Sequence, residues 1–165
     1  MDINSLIGSF GFKENLGSDI VFWILFIILS FVFSLAIGKK RILVTIVGIY
    51  ASFVVVSFIP KSFITDPFNR AILFVALLVA FVVMFGKIIN ASLIGSSPSY
   101  FIKSTIGSAT LLGLFLVIIF GWLPGKELSN IVTPSTKVYF TDEIYRFLWT
   151  VAPLVFLGVV RKKID

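Results

Sequence analysis

The sequence predicts an all-α protein, a polytopic transmembrane helix bundle of about five spans. Of its 165 residues 58% are hydrophobic and 13% are charged, whereas a soluble domain carries about 25% charged residues. The apolar residues fall in blocks close to the roughly 20 residues that cross a bilayer core. The cations cluster at the ends of these blocks, as in the turn Gly38–Arg41. Three adjacent cations between two apolar runs indicate a membrane surface.

The N-terminal segment, residues 1–18, is too polar to span a membrane. Four apolar residues fall on one face of a helix, at the spacing i, i+3, i+4, i+7. They are Ile3, Leu6, Ile7 and Phe10. Two interpretations stay open, a short interfacial helix lying on the membrane and a frayed tail.

The first two predicted spans, residues 20–37 and 42–59, flank the basic turn and form a tight antiparallel hairpin. Ser18 and Asp19 are predicted to cap the first helix. In the second helix Tyr50 falls near mid-membrane, where its hydroxyl needs a hydrogen-bond partner.

Three further spans are predicted at residues 71–89, 104–123 and 143–160. The longest loop, Gly125–Thr141, lies between the last two and carries several polar groups. Thr141 is predicted to cap the last helix.

The last span has two weak points, Arg146 near its start and Pro153 in its interior. Arg146 can reach the lipid headgroups, and Pro153 kinks the helix, which membrane helices tolerate. Four spans plus an interfacial C-terminal helix is therefore an alternative. In either case the whole chain, residues 1–165, forms a single membrane domain.

The distribution of cations predicts the orientation, because cytoplasmic loops carry an excess of Lys and Arg. With the basic turn inside, eight of the 14 cations and one of the eight acidic residues lie on the cytoplasmic side. The main predicted anchors are Lys39, Lys40, Arg41, Arg161, Lys162 and Lys163. The N-terminus is then outside and the C-terminus cytoplasmic.

Composition excludes much of catalytic chemistry. The chain has no Cys and no His, which removes thiol nucleophiles, imidazole bases and most zinc or haem sites. We expect no cofactor and no bound metal. No basic stripe interleaved with exposed aromatics indicates a nucleic-acid partner. No ionisable residue lies deep in a predicted span, which disfavours ion-coupled transport.

Two weak catalytic candidates remain, each with a simpler interpretation. Lys103 beside Ser104 could form a Ser–Lys pair, but a snorkelling anchor beside a helix start is favoured. Asp142 and Glu143, with Glu127, could bind a cation or act as acid and base. Their favoured role is to stabilise a helix N-terminus.

The strongest positive signal is a row of small residues at i+4 spacing in the fourth span, broken only by Val117. Its members are Thr105, Ala109, Gly113 and Gly121. Such stripes allow close helix packing, either inside the bundle, which is favoured, or against another subunit or membrane protein.

Three function classes follow. The leading one is a non-enzymatic membrane accessory or scaffold protein that acts through helix–helix contacts and the loop Gly125–Thr141. Its partners would be the lipid bilayer and a membrane protein or further copies of itself. The alternative is a small channel or facilitator formed by oligomers, with small-residue stripes lining a pathway. An enzyme acting on lipid is third, and it lacks a recognisable nucleophile or base.

The basic turn Gly38–Arg41, followed by Leu43, Gly48, Ala51 and Ser52, resembles the start of the colicin V production (CvpA) family. The resemblance covers about residues 20–56. These are small bacterial inner-membrane proteins of about four spans. This chain has Lys-Lys-Arg where the family tends to have Arg and Gly, and it adds a predicted fifth helix. The resemblance implies a bacterial inner-membrane accessory protein and brings no catalytic residues.

Overall fold

The computed structural model describes residues 14–60, 62–88 and 100–161, and the secondary structure in these ranges is helical. The helices are α1 (Glu14–Phe58), α2 (Pro67–Ile88), α3 (Tyr100–Trp122), α4 (Gly125–Ile131), α5 (Pro134–Thr141) and α6 (Glu143–Arg161). Five segments are long and apolar enough to cross a membrane: Gly17–Leu35, Arg41–Phe58, Pro67–Ile88, Ile102–Trp122 and Glu143–Val160. The predicted all-α helical bundle is confirmed.

Helix α1 folds back on itself. Helical residues follow one another without a gap from Glu14 to Phe58. In a straight helix Phe26 and Tyr50 would lie about 36 Å apart, because each residue rises 1.5 Å. In the structure, however, the centroid of the Phe26 ring lies 6.0 Å from that of the Trp149 ring. The Tyr50 hydroxyl donates a hydrogen bond to the backbone carbonyl oxygen of Thr150, the residue that follows Trp149. The two arms of α1, a first arm (Gly17–Leu35) and a second arm (Arg41–Phe58), are therefore antiparallel.

Helix α3 lies at the centre of the bundle. It contacts both α1 and α6 extensively and also touches α2 and α5. Two buried clusters form around it. One joins the second arm to α2 and α6 and includes Ile46, Phe74, Leu114 and Phe156. The other joins the first arm to the C-terminal part of α3 and to α4 and α5.

A buried hydroxyl contact joins the first arm to the start of α3. The Ser34 Oγ donates to the Ser104 Oγ at 2.6 Å, and both residues are almost wholly buried. Ser30, one turn earlier, instead donates to the backbone oxygen of Phe26. The small residues of the first arm thus face α3, as close packing requires.

Three helix starts lie at residues other than those expected from the sequence. Helix α1 begins at Glu14, so Asp19 lies inside the helix and does not cap it. Helix α2 begins at Pro67, because the Asp66 carboxylate accepts from the Phe68 N–H and Pro fits the first helical position. The cap of α6 is Asp142, not Thr141, since its carboxylate accepts from the Ile144 N–H at 3.0 Å.

The predicted loop Gly125–Thr141 is mostly helical, which corrects the sequence interpretation. Pro124 and Pro134 provide helix starts for α4 and α5, and Thr133 caps α5 by accepting from the Thr136 N–H. These two short helices cover the end of the bundle that Trp122 marks. We call it the cap end.

Several predictions concern residues outside the described ranges. They include most of the N-terminal segment 1–18 and the anchors Lys162 and Lys163. Helices include Lys39, Lys40 and Arg161, but their side chains lie outside the described part of the structure. Arg41 is described and its side chain is exposed.

Candidate functional site

The predicted small-residue stripe of α3 faces the interior of the bundle at its central position. A Cβ on Gly113 would lie 2.1 Å from the Trp149 ring, so the indole of α6 packs directly on the α3 backbone. Ala109 packs against the buried cluster that contains Phe26 and Phe140. Thr105 is half-buried, and Gly121, at the cap end, is exposed beside the Arg146 guanidinium. Gly113 therefore forms a helix contact, whereas Gly121 lies on the floor of an open groove.

Phe140 in α5 is the centre of the cap end. Its side chain is wholly buried. Five aromatic rings have centroids within 6.5 Å of its own: Phe22, Trp23, Phe26, Phe120 and Trp149. In the sequence Phe140 falls in the predicted loop Gly125–Thr141. In fact Phe140 holds the first arm, α3 and α6 together, because aromatic rings bury large areas in specific geometries.

A carboxylate ties the first arm to the same cap. Asp19 accepts hydrogen bonds from the hydroxyls of Thr133 and Thr136, the second at 2.6 Å. Thr136 is almost wholly buried. Hydrogen bonds to an ionised acceptor are among the stronger ones. The start of the first arm and the start of α5 are therefore held in fixed register.

An open groove of about 430 Å³ lies between the second arm and α6, with α3 as its floor. The second arm contributes Tyr50, Phe53 and Val54. The floor consists of Leu114, Val117, Ile118, Gly121 and Trp122. The wall from α6 consists of Glu143, Arg146, Phe147 and Thr150. The lining is mostly apolar, and its charged groups lie only toward the cap end.

The groove is crossed at its deep end by the Tyr50–Thr150 contact. Tyr50 donates to the Thr150 carbonyl oxygen, which fulfils the expectation that its mid-membrane hydroxyl needs a partner. Pro153 lies one turn further along α6 and has no N–H to donate, so the local helix bonding is weakened. Neighbouring helices commonly satisfy backbone groups near such a proline.

Two guanidinium groups flank Trp122. The Arg146 Nη2 lies 3.4 Å from the Cβ position of Gly121, so this side chain extends over the floor of the groove. Trp122 also lines a smaller cavity of about 180 Å³ together with Arg70 and Pro67. The Arg70 Nη2 is buried there and has no hydrogen-bond partner among the described residues.

The two weak catalytic candidates have structural roles. Ser104 is wholly buried and bonded to Ser34, so a substrate cannot reach its hydroxyl beside Lys103. Asp142 caps α6. Within residues 14–60, 62–88 and 100–161, no group of three or more Asp and Glu side chains is arranged to hold a metal ion.

Sequence reasoning missed the groove as a unit. It noted Tyr50 and Arg146 separately, but not that they line one surface. The available signal was the spacing Glu143, Arg146 and Thr150, which lie at i, i+3 and i+7 and so share one face of α6. The partner face on the second arm could not be read from the sequence, since it depends on how the arms pack around α3.

The fold defines an all-α bundle of the multi-pass membrane class, by the length and apolar composition of its five long helical segments. Compared with protein-family models, curated proteins and solved structures, the chain matches none of them. The resemblance to the colicin V production family therefore stays a prediction.

Proposed function

We propose that this chain is a non-enzymatic accessory or scaffold protein of a membrane, acting through contacts between its helices and those of a partner membrane protein or a second copy. The observation that carries the proposal is the contact of Gly113 with Trp149. The central part of the strongest small-residue stripe is used for packing within the chain, because the Trp149 ring covers Gly113. We therefore assign the contacts with a partner to the outer surface of the bundle.

The first arm and α2 are two of the exposed faces of that surface, and α6, whose span is 17% buried, is a third. The first arm has 17% of its span buried and α2 has 6%. Each presents a row of large apolar side chains, for example Ile24 and Ile28 on the first arm and Val79 and Val83 on α2. Lipid covers such faces in a monomer, and a partner helix covers one of them in a complex.

The proposed location is a bacterial inner membrane, with the cap end outside and the C-terminus cytoplasmic. The basic residues support this orientation, since Arg41, Lys87 and Lys103 lie at segment ends opposite the cap. The resemblance to the colicin V production family supports the choice of membrane.

The alternative, an oligomeric channel or facilitator lined by small-residue stripes, is disfavoured by the same Gly113–Trp149 contact. Where the indole ring covers Gly113, the stripe cannot line an aqueous path. Flux of small solutes into vesicles that contain the purified protein tests this alternative directly.

Photocrosslinking in the native membrane tests the proposal. A photoreactive amino acid is placed at Ile28 on the first arm or at Val83 on α2, two positions with similar exposure. We expect a discrete protein adduct from one face and only lipid adducts from the other. An adduct of twice the chain's mass identifies self-association. No protein adduct from either face, with full expression, contradicts the proposal.

A further inference from the structure

We propose that the groove between the second arm and α6 binds one phosphatidylethanolamine molecule, with an acyl chain along its walls, the phosphate at Arg146 and the amine at Glu143. This inference is independent of the proposed partner binding, because it concerns a different surface.

The deep part of the groove suits a hydrocarbon chain. Leu114 and Ile118 lie on its floor, and Phe53, Val54 and Phe147 continue the apolar lining along the walls toward the cap end. The floor from Leu114 to Trp122 runs about 12 Å along α3 at 1.5 Å per residue. The volume, about 430 Å³, lies in the range of pockets that bury small ligands. Since these helices have the length and composition of membrane spans, the molecule available to fill the groove is a lipid.

The polar part of the groove matches the order of groups in a phospholipid headgroup. Glu143 and Arg146 both line the groove, three residues apart, which is about 4.5 Å along the helix axis. Arg146 is deeper and Glu143 is nearer the cap end. In phosphatidylethanolamine the phosphate follows the acyl chains and the amine lies beyond it, so each charge meets its opposite.

Arginine is the cation best suited to the phosphate, because its planar fork can donate two parallel hydrogen bonds to oxygen atoms. The Arg146 side chain already extends over Gly121, where the headgroup would enter. Arg70 does not line the groove; it lies in the smaller cavity that shares Trp122 with it, so Arg146 alone is assigned to the phosphate.

Glu143 selects among phospholipids. A primary amine can donate N–H hydrogen bonds to its carboxylate, whereas the methylated amine of phosphatidylcholine has no N–H. Phosphatidylglycerol has no cation to place there, and its net negative charge lies near the carboxylate. The arrangement therefore favours a headgroup that has both a phosphate and a free amine.

Native mass spectrometry of the purified full chain tests the assignment. The protein in detergent receives equal amounts of phosphatidylethanolamine, phosphatidylglycerol and phosphatidylcholine with identical acyl chains. We expect wild-type protein to retain the ethanolamine lipid about threefold to fivefold over each of the others, the range that an exposed ion pair supplies.

Two variants with matched controls separate the two charges. Arg146→Gln should lower retention of all three lipids about fivefold to tenfold, whereas Lys126→Gln, an exposed cation on α4, should not change it. Glu143→Gln should abolish the preference and leave total retention within about twofold, whereas Glu127→Gln should keep the preference. Arg146→Lys, which keeps the charge but not the fork, should retain an intermediate amount.

Other outcomes overturn the assignment. Stronger retention of phosphatidylglycerol than of phosphatidylethanolamine by the wild type would indicate a merely basic surface. Equal effects of Glu143→Gln and Glu127→Gln would remove the role of the groove. Failure to retain any lipid, in protein that elutes as a single folded species, would mean that the groove does not bind phospholipid. None of these results bears on the photocrosslinking of the partner faces.

Discussion

Adding one methyl group at Gly113 is the sharpest test of how the bundle is packed. The Cβ of Gly113→Ala would lie 2.1 Å from Cε3 and Cζ3 of Trp149, and side-chain Cβ contacts below 3.0 Å essentially do not occur. The ring would have to move by about 0.9 Å. Two other contacts restrain the Trp149 ring: its Nε1–H donates to the backbone carbonyl oxygen of Tyr139 at 3.0 Å, and the ring stacks on Phe140.

The expected loss of stability follows from two opposing terms. Overpacking a well-packed core costs about 1–3 kcal/mol. Replacing a helical glycine with alanine returns about 0.5–1 kcal/mol, because alanine loses less backbone entropy. The net expectation for Gly113→Ala is a decrease of up to about 2.5 kcal/mol in the free energy of unfolding. Gly86→Ala and Gly158→Ala are matched controls, since a Cβ at either helical position meets nothing within 4 Å.

The assay is reversible unfolding in mixed micelles, with a double-mutant cycle. In a Trp149→Ala background the added methyl has no ring to meet, so Gly113→Ala should cost nothing or stabilise slightly. We expect a coupling free energy of about 1 kcal/mol or more. Equal stability of Gly113→Ala and Gly86→Ala, or an equal cost with and without the indole, would refute the packing argument.

Three further predictions concern polar contacts. Ser34→Ala and Ser104→Ala should each lower the free energy of unfolding by about 0.5–1.5 kcal/mol, and the double variant should cost less than their sum, as a double-mutant cycle would measure. Asp19→Ala leaves two hydroxyls without their acceptor and should lower the free energy of unfolding by about 1–3 kcal/mol. Because Thr136→Val removes part of the same contact, the double variant should lose much less than the sum of the two single losses; additive losses would show that the two residues are not coupled. Tyr50→Phe removes the bond to α6 and should cost about 0.5–1.5 kcal/mol, with faster hydrogen exchange in α6 near the lost bond. An unchanged exchange rate would contradict that contact.

The fold class could be predicted because it depends on composition and segment length alone. Apolar blocks of membrane length and the basic turn at Gly38–Arg41 are local properties of the sequence. The expected partner of Tyr50 could be predicted in kind, since a mid-membrane hydroxyl must find an acceptor, but its identity as Thr150 depends on the packing of α6.

The structure of the cap end could not be predicted, because the polar composition of its residues favours a loop rather than helices. Ser, Thr, Lys and Pro between residues 124 and 141 favour a loop by composition, yet the prolines begin two short helices. Phe140 falls in the predicted loop, but five aromatic rings converge on it, and those of Phe22, Trp23 and Phe26 come from the other end of the chain. Asp19 is predicted to cap a helix, but its carboxylate instead accepts hydrogen bonds from Thr133 and Thr136, more than 100 residues away. Long-range contacts of this kind leave no periodic signal.

Water access to the small-residue stripe is the most direct test of the central claim that the bundle interior is packed and that the protein acts through its surface. The chain has no native cysteine, so single cysteines at Ala109 on the stripe and at Asn130 on exposed α4 report cleanly. Intact cells are treated with a membrane-impermeant thiol reagent. We predict that Asn130→Cys is labelled and that Ala109→Cys stays unlabelled, even after permeabilisation. Labelling of Ala109→Cys at a rate close to that of Asn130→Cys would show water inside the bundle and contradict the account.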